Sequence, residues 1–205
     1  MTLVIDHIAV AARTLDEGAA WVEMALGAPL APGGQHPHMG THNRLLNLGD
    51  LYLEVIAIDP AAPNPAYARW FNLDHFDGPP RLTNWICRTD DLDAALTAAP
   101  PGTGTATPLS RGDYRWRFAI PATGQLPFDD CFPALIQWQG DRHPAQALPD
   151  QGIRLQRLEI THPHAPALQT ALAGQPADPR LHLQLGPYHS LRATFSTPHG
   201  PRVLT

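Results

Sequence analysis

The sequence predicts an α+β fold built from repeated βαβββ modules. Three observations predict it: an opening strand, capped helix and strand group within residues 1–58; the same order again within 82–140; and a weaker third copy in 152–205. Each such unit buries only one face alone, so paired units are needed to complete a core. The chain has 205 residues with a hydrophobic fraction of 43%, enough for a sizeable core.

In the first copy, Thr2 to Ala11 is apolar and β-branched, interrupted by Asp6 and His7, and reads as a strand. Thr14-Leu-Asp-Glu17 fits a capping box, with Leu15, Val22 and Leu26 on one helical face. Gly27 sits where a residue of positive φ ends a helix. A Gly/Pro/His loop is expected from Pro32 to Gly40. Strands are expected at Thr41 to Leu48 and Leu51 to Ile58, turning at Gly49-Asp50.

In the second copy, Leu82 to Arg88 is a strand and Asp90-Asp91-Leu92-Asp93 opens a short helix that stops at Pro100-Pro101-Gly102. Strands follow at Ala106 to Leu109, Tyr114 to Ile120 and Ala134 to Trp138. Superposing the copies places His7 over Asn84. The third copy runs from a strand at Ile153 to Thr161, through a helix with Pro166 in its first turn, to strands at Leu181 to Leu185, Leu191 to Ser196 and Arg202 to Leu204. Proline-rich linkers occupy 59–80 and 140–151.

Composition narrows the function. A net charge of -5 offers no basic field for nucleic acid. All 14 basic residues are arginine, which excludes Schiff-base and lysine-base chemistry. Cys87 and Cys131 form no CxxC pair, so a thiolate zinc site is not expected. No membrane span is expected, and neither is a secretory signal in the opening residues, so a reducing cytoplasm is the expected compartment. No P-loop, GxGxxG or G-x-S-x-G motif occurs in catalytic context.

Asp6-His7-Ile8-Ala9-Val10, the helix to Leu26-Gly27, the run Gln35-His36-Pro37-His38-Met39-Gly40-Thr41-His42-Asn43-Arg44-Leu45, and Leu51-Tyr52-Leu53-Glu54-Val55-Ile56 together resemble the opening module of a glyoxalase-like domain. Ser110-Arg111, Trp116, Pro133 to Trp138 and His143-Pro144 resemble its later part. The resemblance is to the vicinal oxygen chelate superfamily. It implies cupped, incompletely closed mixed sheets with helices on the outer face, and the first and fourth strands of a module as neighbours. Residues 1–145 would form the glyoxalase-like domain, with modules at about 1–58 and 82–140. Residues 152–205 would be a third module, packed on or pairing with the first two. The superfamily includes isomerases, lyases, dioxygenases and drug-binding proteins, so the fold alone names no reaction.

In metal-bearing relatives the cup strands send His, Glu or Gln onto a divalent ion. Strand alternation puts Leu3, Ile5, His7 and Ala9 on one face, and sets Tyr52, Glu54 and Ile56 opposite the apolar Leu51, Leu53 and Val55. Glu54 therefore faces the cup. With His7 it could bind zinc, manganese, iron or nickel, or form a hydrogen-bonded pair without metal. Glu54 would then be a ligand or a base. The later copies supply few partners: Asn84 and Arg157 stand where His7 stands, and only Gln137 suits the fourth strand.

His36, Asn43, Trp116, Arg115, Gln137 and His143 are the expected ligand-contacting residues. His36 and His143 belong to rim loops, whereas His38 and His42 read as solvated. Tyr114, Trp116 and Phe118 share one strand face and Arg115 and Arg117 the other. Either aromatics or arginines line the cup, or the aromatics are core and the arginines solvated. Two functions follow: a metal-assisted lyase, isomerase or dioxygenase acting on a small oxygenated metabolite, or a non-enzymatic protein sequestering a small molecule in the same cup. A homodimer is expected if the third copy leaves an apolar face or edge open.

Overall fold

Strand β1 (Val4–Ala11) is buried along almost its whole length because both of its edges and both of its faces are covered. The computed structural model describes residues 2–205. Helix α1 (Leu15–Leu26) begins where Thr14 Oγ1 accepts from the Glu17 backbone N–H at 3.2 Å, and ends at Gly27 with φ 72°. The Glu17 carboxylate accepts from Arg13 instead of reaching back to the cap.

Strands β2 (Ala31–His36), β3 (Thr41–Asn47) and β4 (Tyr52–Ile58) complete the first module. Most of β2 lies where the composition predicts a loop. It is an edge strand, and an edge tolerates Pro32 and two glycines because one row of its N–H groups needs no partner. Gly33 is also packed so tightly that a Cβ would sit 2.0 Å from the Asn43 carbonyl oxygen.

The second module has β5 (Arg81–Arg88), α2 (Leu92–Ala98), β6 (Thr105–Arg111), β7 (Tyr114–Ile120) and β8 (Ala134–Trp138). The two modules form one eight-stranded sheet in the order β2-β3-β4-β1-β5-β8-β7-β6. Strand β1 pairs parallel with β4, β5 pairs parallel with β8, and the two modules join along the antiparallel β1–β5 seam. The sheet curls until its edges approach: Arg111, ending β6, comes 3.2 Å from His36, ending β2. The result is the open cup expected of the fold.

After the short helix α3 (Pro144–Ala147) come β9 (Arg154–His162), α4 (Ala165–Leu172), β10 (Leu181–Leu185), β11 (Ser190–Thr197) and β12 (Gly200–Leu204). The element order is βαβββ, but the sheet order is β10-β9-β11-β12, with β9 inside. The third copy thus repeats the chain order of the first two without their strand pairing. Its Leu155, Leu158 and Phe195 share one apolar core with Ile5, Val22 and Trp85 on the outer face of the main sheet. The apolar face of the third module is thus covered within the chain, while β2, β6, β10 and β12 stand at the ends of their sheets. No helix among the described residues is long and apolar enough to cross a membrane.

Candidate functional site

The cup is built around an irregularity in β1. Ile5 pairs with Cys87 and His7 with Ile86, leaving Asp6 as the extra residue of a β-bulge. Simple alternation would put Ile5 and His7 on one face. Instead Ile5 joins the outer core with Ile8 and Val10, while His7, like Ala9 and Ala11, faces the cup. The bulge lets the adjacent Asp6 reach the same buried network, which the sequence reading did not anticipate.

Within β4, Leu53 and Val55 pack outward and Glu54 faces inward, as alternation requires. Glu54 Oε2 lies 3.5 Å from His7 Nε2. On the other side of the imidazole, His7 Nδ1 is 2.6 Å from Asp6 Oδ1, and Tyr52 stacks on the ring at 4.4 Å between centroids. Asp6 Oδ2 also accepts from Trp138 Nε1 at 2.9 Å and stands 2.9 Å from His143 Nε2. Asn43 on β3 donates to Glu54 Oε1 at 2.5 Å and accepts from Arg111 Nη1 at 3.0 Å. His36 holds Thr41 Oγ1 through Nδ1 at 3.2 Å and Arg111 through Nε2.

The facing wall is aromatic. Trp116 and Phe118 on β7, Trp138 on β8, and Trp70 with Phe71 enclose a cavity of about 30 Å³ together with the polar cluster. Trp70 and Phe71 come from the first proline-rich linker, where a 3-10 segment (Trp70–His75) folds over the cup. Phe71 and Asn72 both have positive φ there. The linker is therefore part of the site.

Charge in the cluster is set by opposing effects. Burial pulls the His7 pKa down, but hydrogen bonding to Asp6 and the neighbouring Glu54 carboxylate outweigh it and raise it to about 9. Burial pushes Glu54 up, yet His7 and, more weakly, His36 and Asn43 bring it down to about 2. Asp6 also falls well below the usual carboxylate range: burial opposes this, and His143 and His7 prevail. His36 is lowered to about 4, mainly by burial, so it is neutral at physiological pH. The neutral-pH state is an imidazolium held between two carboxylates.

Of the residues singled out from the sequence, His7, Glu54, His36, Asn43 and Trp116 meet around this one cavity. Three others do not line it. Arg115 is exposed and folds back onto the Gly112 and Tyr114 carbonyls, because alternation gives the inward face to Trp116. Gln137 is turned to the outer side, where it bonds the Asp90 carbonyl at 2.6 Å and the backbone at the start of α2. His143 stands behind the cup as the N-cap of α3, reaching it through Asp6 and through its ring packing on Tyr52 and Trp138. Asn84 is fully buried, its side-chain amide has no hydrogen-bond partner among the described residues, and it does not line the cavity. Arg157 lies on the separate sheet, paired with Glu159. His38 packs against Tyr67 away from the cavity.

The residues in place do not make the divalent-metal site that the resemblance implies. His7 and Glu54 give two donors directed at a common space. The next imidazole, His36, has its Nε2 taken by the Arg111 guanidinium, and β8 contributes Ile136 to the cavity wall. Among the described residues no group of three or more His, Cys, Asp or Glu is arranged to hold an ion. Arg111 is the main residue that motif reasoning left out. It belongs to the quoted Ser110-Arg111 match, but nothing local in the sequence shows that β6 would curl back onto β2.

A family model for a glyoxalase-like domain matches residues 5–175. No curated protein matches the chain significantly. Among solved structures, a hypothetical protein from Staphylococcus aureus is similar with a TM-score of 0.65 and 14% identity, covering 93% of this chain and 88% of that one. A methylmalonyl-CoA epimerase from Mycobacterium tuberculosis aligns with a TM-score of 0.45 and 20% identity, over 69% of this chain and 92% of its own.

Proposed function

The chain belongs to the glyoxalase-like domain family, and from that premise we propose that its cup binds a small oxygenated carboxylate and moves a proton on the carbon next to its carbonyl. The observation that carries this reading is the His7–Glu54 pair: an acid and a base 3.5 Å apart, with pKa values pushed in opposite directions, facing one cavity. Groups whose environments separate their pKa values in this way are suited to acid and base roles. Glu54 accepts the proton from carbon while the His7 Nε2–H donates to the carbonyl oxygen, giving a neutral enol. Reversal of the two transfers regenerates the carbonyl. Arg111 supplies the anchor for the carboxylate.

A second reading is binding without turnover. It is favoured by the depressed basicity of Glu54, since a carboxylate with a pKa of about 2 is a weak base. Both readings require the anion to bind in the cup. Calorimetric titration with pyruvate tests that requirement: binding is expected in the native protein and a loss of about ten- to a hundredfold in Arg111→Met, the range for a charge-assisted hydrogen bond. Equal affinity in the two proteins would remove the cup from consideration as the binding site.

A further inference from the structure

The cavity of about 30 Å³ beside His7 and Glu54 has room for only a few atoms. Any larger ligand must extend out of it. Beside it, on the far side of Arg111, lies an open groove of about 690 Å³ between the start of β2, the end of β6 and the α3 segment. This is within the usual size range of a small-molecule site. Its walls include Leu30, Pro32, Leu45, Pro144 and Leu148, and Arg111 is the single charged side chain among the described residues that line it.

Arg111 is the shared wall. Its Nη1 is fixed by His36 and Asn43, and among the described residues its Nε and Nη2 make no hydrogen bond and no carboxylate pairs with it. Gly34 makes room for its stem, since a Cβ there would lie 2.6 Å from Arg111 Cδ. Leu45 and Leu148 also pack with Tyr52, which stacks on His7, so the groove wall and the acid–base pair have Tyr52 as a common neighbour.

We propose that the ligand of this protein is an amphipathic carboxylate, its acid group on the free edge of Arg111, its oxygenated carbon in the cup and an apolar chain lying along the groove. This rests on the cup reading above and specifies the substrate class. A polar or charged tail would be left unpaired against the leucine and proline walls, whereas an alkyl chain is desolvated there.

The test uses straight-chain 2-oxo carboxylates of increasing length, titrated against the full chain. Affinity is expected to rise about fourfold per added methylene over the first several carbons, as for burial of CH₂ groups. Ala147 is exposed on α3 and lines the groove, so Ala147→Asp places a charge there without touching the core. That variant is expected to lose the length dependence, its affinity for each member being compared with its own affinity for pyruvate. A flat series, or a slope unchanged in Ala147→Asp while pyruvate still binds, overturns the groove assignment and leaves the cup intact. Failure of every member to bind the native protein overturns both.

Discussion

Asp6 and His7, adjacent in sequence, engage each other side by side in the same buried network, with 2.6 Å between Oδ1 and Nδ1. Only a bulge permits this, since neighbouring strand residues otherwise point to opposite faces. The consequence is a buried imidazolium with a carboxylate on each side.

That arrangement links stability to pH. The His7 pKa is raised to about 9 from an ordinary value of 6.5, so its contribution is complete below about 6.5 and is lost as pH rises through 9. Glu54 is lowered to about 2 from 4.5, so its contribution is complete above about 4.5 and is lost as pH falls through 2. Thermal unfolding followed by calorimetry from pH 6 to 9 should show a falling Tm in the native protein. His7→Gln should be less stable by about 3–5 kcal/mol at pH 6, because two buried carboxylates lose the cation between them. Its Tm should be flatter over the same range; an equal slope in both proteins would remove His7 as the source.

Gly33→Ala should disturb the site from a distance. The new Cβ would overlap the Asn43 carbonyl at 2.0 Å and its Oδ1 at 2.3 Å. Strand β2 must shift or β3 must yield, at a cost of about 1–3 kcal/mol for an overpacked position. Asn43 would leave its place between Glu54 and Arg111, so pyruvate affinity should fall together with stability. A variant that binds normally would show that Asn43 does not depend on the β2 contact.

Phe195→Ala should cost about 3–5 kcal/mol, the range for emptying a large buried aromatic site. Phe195 is fully buried in the core shared by the third module and the outer face of the main sheet. Denaturant unfolding of the native protein should therefore show one transition, and the variant one transition at lower denaturant. Two separate transitions would show that the third module folds as an independent unit.

Much of this was legible in local pattern. Period-2 alternation places Leu53 and Val55 outward and Glu54 inward, and Thr14 and Gly27 bound a helix by their own chemistry. The βαβββ element order of the second and third copies can be read from apolar runs and turn residues, and that of the first apart from β2. What alternation could not supply was the bulge at Asp6, which depends on how β1 registers against β5, nearly eighty residues later. The same limit hid Arg111, whose partners are 68 and 75 residues away. Strand β2 was obscured for a different reason: its proline and glycines are loop-forming residues that an edge position tolerates. The family resemblance supplied His7 and Glu54 as ligands, but the residues around them favour a proton between two acids.

If Glu54 and His7 move a proton at carbon, hydrogen exchange measures it directly. Pyruvate is incubated with the protein in D₂O at neutral pH, with a chelator present, and loss of the methyl proton signal is followed by NMR. Exchange is expected to be faster than in buffer alone, unaffected by the chelator, and reduced about a hundredfold or more in Glu54→Gln, as for loss of a general base. Pyruvate that binds without exchanging, or exchange that appears only on adding a divalent cation, would contradict it.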